Sequence, residues 1–308
     1  IRFVADEAPA TTGDAASPVV ASIALAHRRG GTEAAVDGTV CVHVDGAAYG
    51  LDTATGVLRW RQFVGFDIEP SIARFEGDVV LRSTLDHSLL RLDSATGKLK
   101  WRHRIGQPFA PPLVLGERAF LADETGRLHV IRLTDGTRSG YLQFAQSLRT
   151  APMADRRGGR LYLVGDHSSV YTISLEDFSC RGVYYLGHAP GSVAVPPAVV
   201  LNKLALFENQ GVESSLLHLL ALDESGVIAD EILEQRLAGL VTSEALVRGR
   251  RLVVITDRGQ INAYEAGTQA DASSFTLVAT REPTSSTSVQ RHALLGDRHI
   301  WVADNQLT

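Results

Sequence analysis

The sequence predicts an all-β chain, a seven-bladed β-propeller of four-stranded blades forming one domain over 1–308. Three observations predict it. A turn motif recurs with a period near 41 residues, short apolar runs alternate with period two, and prolines stand before the first run of successive units.

The motif is clearest in Tyr49-Gly50-Leu51-Asp52-Thr53-Ala54-Thr55-Gly56-Val57-Leu58-Arg59-Trp60 and its copy Leu90-Arg91-Leu92-Asp93-Ser94-Ala95-Thr96-Gly97-Lys98-Leu99-Lys100-Trp101. Weaker copies follow at Ile131, Ile173, Leu222 and Tyr264, each with an acidic residue or glycine turn behind it. The apolar residue before each turn falls at 51, 92, 131, 173, 222 and 264, with intervals of 41, 39, 42, 49 and 42, the length of one blade. In the turn, Asp52 or Asp93 can accept hydrogen bonds from the following N–H groups, while Gly56 or Gly97 permits the positive φ a hairpin needs. Trp60 and Trp101, four residues after those glycines, fall on outer strands where a large ring packs between blades.

Taken in order, residues 1–16 supply a strand, Ile1–Ala5, and a loose small-residue linker. Blades follow at about 17–65, 66–106, 107–146, 147–187, 188–239, 240–282 and 283–308. The second blade reads as Ser71–Phe75, a turn, Asp78–Ser83, a turn, Leu89–Asp93, the glycine turn, then Lys98–Arg102. Pro18, Pro70, Pro112, Pro152 and Pro197 stand at strand starts, where a missing N–H breaks no ladder bond. Glu231–Leu240 comes nearest to a helical pattern, but its position in the repeat makes it an outer strand. The last blade is short, and Ile1–Ala5 is its natural partner, closing the ring so that no edge stays unpaired. The Ile1 start and the stop at Thr308 in mid-hairpin suggest a piece of a longer protein.

Composition narrows the function. At 44% hydrophobic and 21% charged the chain is ordinary globular protein, and its apolar runs fall short of the ~20 residues of a membrane-spanning helix. A net charge of −5 without a basic stripe argues against nucleic acid. Cys41 and Cys180 are too few for a disulfide framework or a metal knuckle and are expected unpaired. No nucleophile elbow, phosphate loop, His-Glu-x-x-His or dinucleotide fingerprint occurs.

The Asp52/Thr55/Gly56/Trp60 and Asp93/Thr96/Gly97/Trp101 sets resemble the pyrroloquinoline-quinone-type propeller repeat. That family includes quinoprotein alcohol dehydrogenases and the propeller lipoprotein of the outer-membrane barrel-assembly machinery. The resemblance implies a propeller and an extracytoplasmic setting, and leaves function open between enzyme and scaffold. The dehydrogenases usually carry a vicinal cysteine pair and a calcium site, and here the cysteines stand far apart. A non-catalytic scaffold that binds a protein or peptide is therefore expected, acting as a monomer and without cofactor. A degenerate dehydrogenase taking the quinone with calcium and a sensor or carbohydrate-binding domain of a receptor are the alternatives.

In a propeller the second-to-third turns and the blade-to-blade loops share one face. Those turns carry Asp45, Asp86, Asp123, Asp166, Asn209, Asp257 and Asp304, each expected to close its own turn, or else to form an acidic rim. His87 and His167 follow Asp86 and Asp166 in identical Asp-His-Ser turns of separate blades. The long hairpin Glu208–Ser215, with Asn209 and Gln210, joins Phe66, Asp67, Glu69, Phe109 and His188 of the loops as the candidate recognition surface. The opposite face carries Arg118, Arg156, Arg157, Arg160, Lys203, Arg248, Arg250, Arg251 and Arg298, read as a solvated charged surface or a docking face for an anionic partner.

Overall fold

The structure is a computed structural model that describes residues 21–24, 38–44, 46–65, 72–155, 159–269, 271–289, 291–295 and 300–303. The expected closing strand Ile1–Ala5 lies outside them. The described elements are β-strands with a 3₁₀ turn at Ala272–Ser274, and no described helix is long and apolar enough to cross a membrane.

Sheet one comprises β1 (Ala21–Ala24), β2 (Thr39–Val44), β3 (Ala47–Asp52) and β4 (Leu58–Phe63), and sheet two β5 (Ile72–Phe75), β6 (Asp78–Ser83), β7 (Ser88–Leu92) and β8 (Leu99–Arg104). Sheet three holds β9 (Leu113–Leu115), β10 (Arg118–Ala122), β11 (Arg127–Arg132) and β12 (Arg138–Gln143). Sheet four holds β13 (Met153–Asp155), β14 (Arg160–Val164), β15 (Ser169–Ser174) and β16 (Cys180–Tyr185). Sheet five holds β17 (Ala198–Val200), β18 (Lys203–Gln210), β19 (Ser214–Leu222) and β20 (Ile228–Ala238). Sheet six holds β21 (Leu246–Arg248), β22 (Arg251–Ile255), β23 (Ile261–Ala266) and β24 (Phe275–Arg281), and β25 (His292–Leu295) pairs with β26 (Ile300–Ala303) in a two-stranded sheet. Every sheet is an antiparallel meander, and first strands of neighbouring sheets adjoin, β1 with β5, β5 with β9, β13 with β17, β17 with β21 and β21 with β25. That arrangement places the first strands innermost, as a propeller requires. Glu231–Ala238 is the outer strand the repeat predicts.

Period-two alternation decides where the core sits. On β6, Val79 and Leu81 pack toward sheet one while Val80 packs toward sheet three. On β14, Leu161 and Leu163 face sheet three, and Tyr162 and Val164 face sheet five. On β18, Leu204 and Leu206 face sheet four, and Ala205 and Phe207 face sheet six. The inner strands are thus buried on both sides, which is why they read as nearly continuous apolar runs. Outer strands β8, β12 and β16 alternate exposed and half-buried residues instead.

The turn motif does what its chemistry predicts. Asp52 Oδ1 accepts hydrogen bonds from the Ala54 and Thr55 N–H groups and the Thr55 hydroxyl, at 3.0, 2.8 and 2.9 Å. Gly56 closes the turn at φ 72° by donating to the Asp52 carbonyl. The Thr55 N–H, then the Arg59 guanidinium and the Thr55 hydroxyl, hold the Asp52 carboxyl down at about 2. Asp93, Asp135, Asp177 and Asp223 repeat the arrangement with Thr96, Thr137, Ser179 and Ser225.

Trp60 is 8% exposed and donates its indole N–H to the Ser94 carbonyl of the next sheet at 2.7 Å. A Cβ on Gly97 would come within 2.6 Å of that indole, so the glycine is needed both for its φ of 68° and for the ring above it. Trp101 bonds the Leu133 carbonyl and covers Gly136 in the same way, but is only half-buried, so burial is less complete there than the repeat predicts. Sheet three has Gly140 on its outer strand and no tryptophan; sheet four answers with Phe178 at a positive φ of 56°, its ring 6.2 Å from Phe120.

Candidate functional site

The second-to-third turns sit beside the loops that join successive sheets, and hydrogen bonds link them into a rim on one face. Arg82 donates to the Phe109 carbonyl, and Phe109 pairs with Asp123 as an isolated bridge. Leu148 N–H donates to the Asp123 carbonyl, Asp166 N–H to Ser147, and Gly191 N–H to Asp166. Asn209 N–H continues to Ser192, and its side chain makes two bonds with the Val241 backbone, at 2.9 and 3.1 Å. Asp257 Oδ1 accepts from Leu240 N–H at 2.7 Å, while its carbonyl takes the Val289 N–H and the Arg291 guanidinium.

These contacts correct the expectation that each acid closes its own turn. Asp123 does so, accepting from Thr125 and Arg127 N–H groups, with its other oxygen on His129 Nε2 at 2.9 Å. Asn209 and Asp257 instead pin the loop of the neighbouring sheet. Asp166 pairs with Arg149 at 3.0 Å, close enough to attract although not aligned as a hydrogen bond, and Asp86 meets Arg102 at 3.4 Å. A turn acid does more for stability by satisfying a loop N–H that would otherwise lie buried without a partner than by capping its own hairpin.

Burial divides the candidate surface. Phe109, Asp123, His188 and Asp257 are each at most 5% exposed and serve as the frame of the rim, not as its contact surface. Asp86, His87, Asp166 and Asn209 are half-buried, and His167 and Gln210 are exposed. Phe66, Asp67 and Glu69 lie outside the described residues, as do Asp45 and Asp304. His87 and His167 stand on sheets two and four and share no site.

The hairpin of sheet five is tighter than the sequence suggests. Asn209 pairs with Ser215 and Gln210 with Ser214, so the strands run on to a turn of Gly211, Val212 and Glu213. Val212 at the tip is 76% exposed, and Tyr185, at the end of the neighbouring outer strand, is 76% exposed as well. The hairpin base is anchored by Glu208, whose Oε1 accepts from Ala189 N–H at 2.9 Å and the Ser192 hydroxyl at 3.1 Å. Burial alone would raise the Glu208 pKa, yet the Ala189 N–H, Ser192 and His218 hold it below the usual carboxylate range. His218, Glu231 and Glu234, which gather beside it, carry no sequence signal; only the register of β20 brings them together.

On the opposite face, Lys203 departs from the expected solvated surface. It is fully buried, its ammonium donating to Asn202 Oδ1 and to the Gly267 and Gln269 carbonyls, so it ties sheet five to sheet six. Burial lowers its pKa. A shallow cleft of about 420 Å³ nearby is lined by Asp155, Asn202, Asp223 and Glu224. Arg156, Arg157 and Arg298 lie outside the described residues.

The quinone alternative implies a vicinal cysteine pair and a set of oxygen ligands. Cys41 lies buried in sheet one and Cys180 exposed in sheet four, so no vicinal pair can back the ring. Of the innermost strands, β5, β9, β17 and β21 carry no carboxylate or amide, whereas β13 carries Asp155. Of the rim side chains, Asn209 and Asp257 already serve the loops.

Comparison with known proteins agrees with this geometry. The crystal structure of BamB from Moraxella catarrhalis superposes with a TM-score of 0.62 at 12% identity, covering 87% of this chain and 76% of that one. The C-terminal WD40 domain of Sif2 gives 0.64 at 12% identity, over 88% of this chain and 76% of that one. At such identities the likeness concerns the propeller fold alone. No curated protein sequence matches. The family model described as outer membrane protein assembly factor BamB matches residues 10–182, more than half of the chain and all of its clearest turn motifs, and the chain therefore belongs to that family.

Proposed function

We propose that this propeller is a non-catalytic scaffold, extracytoplasmic and part of a larger protein, that docks a protein or peptide on its rim face at the hairpin of sheet five. The observation that carries the reading is the hairpin itself. Strands β18 and β19 run 8 and 9 residues where β6 and β7 run 6 and 5, so sheet five projects a tip with Val212 76% exposed. Glu208 and Asn209 fasten its base to both neighbouring loops. A projecting element that is already ordered loses little entropy on binding, which favours recognition. Membership of the assembly-factor family supports a scaffold role.

The test is the size of the native complex in an extract of the source cells. The wild-type chain should migrate with a partner, and the double variant Val212→Asp/Tyr185→Ser should migrate as free protein while keeping its thermal midpoint. An unchanged complex in the double variant would place docking elsewhere.

A further inference from the structure

In the first four sheets and in sheet six, one register shift between third and outer strands occurs just before the turn motif, as at Gly50/Leu51 and Arg91/Leu92. Sheet five has that shift at Ala221/Leu222 and a second one at Leu219/Leu220. The second has a chemical consequence. His218 pairs with Glu234 and Leu220 with Glu231, leaving Ile232 as the extra residue. Residues three apart on a regular strand point to opposite faces, but the inserted residue puts Glu231 and Glu234 on the same face, beside His218.

His218 is 5% exposed and both its ring nitrogens meet carboxylates, Nδ1 at 2.6 Å from Glu231 Oε1 and Nε2 at 3.3 Å from Glu208 Oε2. Glu208 is fixed in turn by Ala189 N–H and Ser192. A carboxylate that takes the proton of one imidazole nitrogen sets the tautomer so that the other nitrogen offers a lone pair, the arrangement found behind metal-bound histidines. Ligand atoms, one each from His218, Glu231 and Glu234, lie within 4.8 Å of one another, and Glu234 is exposed. Tetrahedral zinc needs its ligands about 3.4 Å apart, a small closure from there.

We propose that His218 Nδ1 and the carboxylates of Glu231 and Glu234 bind a divalent transition cation, zinc by their mixed nitrogen and oxygen donors, with Glu208 as the positioning residue for His218. This goes beyond the scaffold reading and does not depend on it. Three carboxylates around one imidazole leave net negative charge even when the ring is protonated, and a cation replacing the proton between Nδ1 and Glu231 relieves it. Magnesium, which demands octahedral oxygen and keeps its water, is a poor match.

The test is equilibrium dialysis of the chelator-stripped, full chain against zinc, magnesium and calcium, with circular dichroism to confirm folding. About one zinc per chain should be retained, with little magnesium or calcium. Glu234→Gln, on an exposed side chain that leaves folding intact, should weaken zinc uptake at least tenfold, and Glu208→Gln about 10- to 100-fold. His167→Gln should change nothing. No zinc retention, retention unchanged in Glu234→Gln, or equal uptake of magnesium would each overturn the proposal.

Discussion

Sheets two and five hold the same four-strand meander and use it differently. Sheet two keeps the full Asp93-to-Trp101 motif, has one register shift, and buries every residue of its third strand, including Arg91, which bonds Asp78 and the Leu133 carbonyl. Sheet five has no tryptophan, two register shifts, longer strands, and a histidine between carboxylates. The difference teaches that the repeat supplies the frame and that departures from it gather the polar groups of sheet five. Where side chains only need to fill the gap between sheets, the motif is kept; where polar groups are gathered, register and length give way.

If sheet two is frame, removing its covering ring should cost most. Trp60→Ala should lower unfolding free energy by roughly 3–5 kcal/mol, and Trp101→Ala, half-buried, by less, both read by denaturant titration. Equal and small losses at the two positions would remove the contrast between filled and gathered interfaces.

The rim acids give a finer comparison. Asn209→Ala on sheet five leaves the Val241 N–H and carbonyl without their amide and should cost about 1–3 kcal/mol, whereas Asp86→Ala on sheet two, with its long contact to Arg102, should stay within about 0.5 kcal/mol. A reversed order would mean that the rim of sheet two, not sheet five, holds the loops.

What the two sheets share is the turn carboxylate. Asp93 is held below the ordinary range by the Thr96 hydroxyl and N–H, and Asp223 by the Ser225 hydroxyl and Val227 N–H. Asp52 and Asp177 reach about 2. Because the folded values are depressed, the stability these groups contribute is present above the unfolded value of 3.8 and is lost as pH falls from there toward 2. The thermal midpoint should fall in that window, and Asp52→Asn should flatten the fall.

Much of the frame was legible in the sequence. Asp52, Gly56 and Trp60 state their roles through chemistry that acts within a few residues, and the alternation of Val79, Val80 and Leu81 states which face each covers. The site was less legible because its causes are not local. Glu231 and Glu234 read as opposite faces of one strand until the extra residue Ile232 is placed. Phe109 and His188 sit in loops, which suggests exposure, but each loop is folded under the rim by backbone bonds to a neighbouring sheet. Lys203 reads as solvated because the carbonyls that bury its ammonium come from residues more than sixty positions away.

The central claim is that recognition belongs to the hairpin of sheet five and not to the rim face at large. Two tips on that face, Val212 on sheet five and Leu85 on sheet two, are 76% and 60% exposed, so simple accessibility scarcely separates them. A photo-reactive residue placed at each position in the source cells, with adducts identified by mass spectrometry, tests the claim most directly. The account predicts a discrete protein adduct from position 212 and none from position 85. Equal adducts from both tips, or an adduct from position 85 alone, would contradict it.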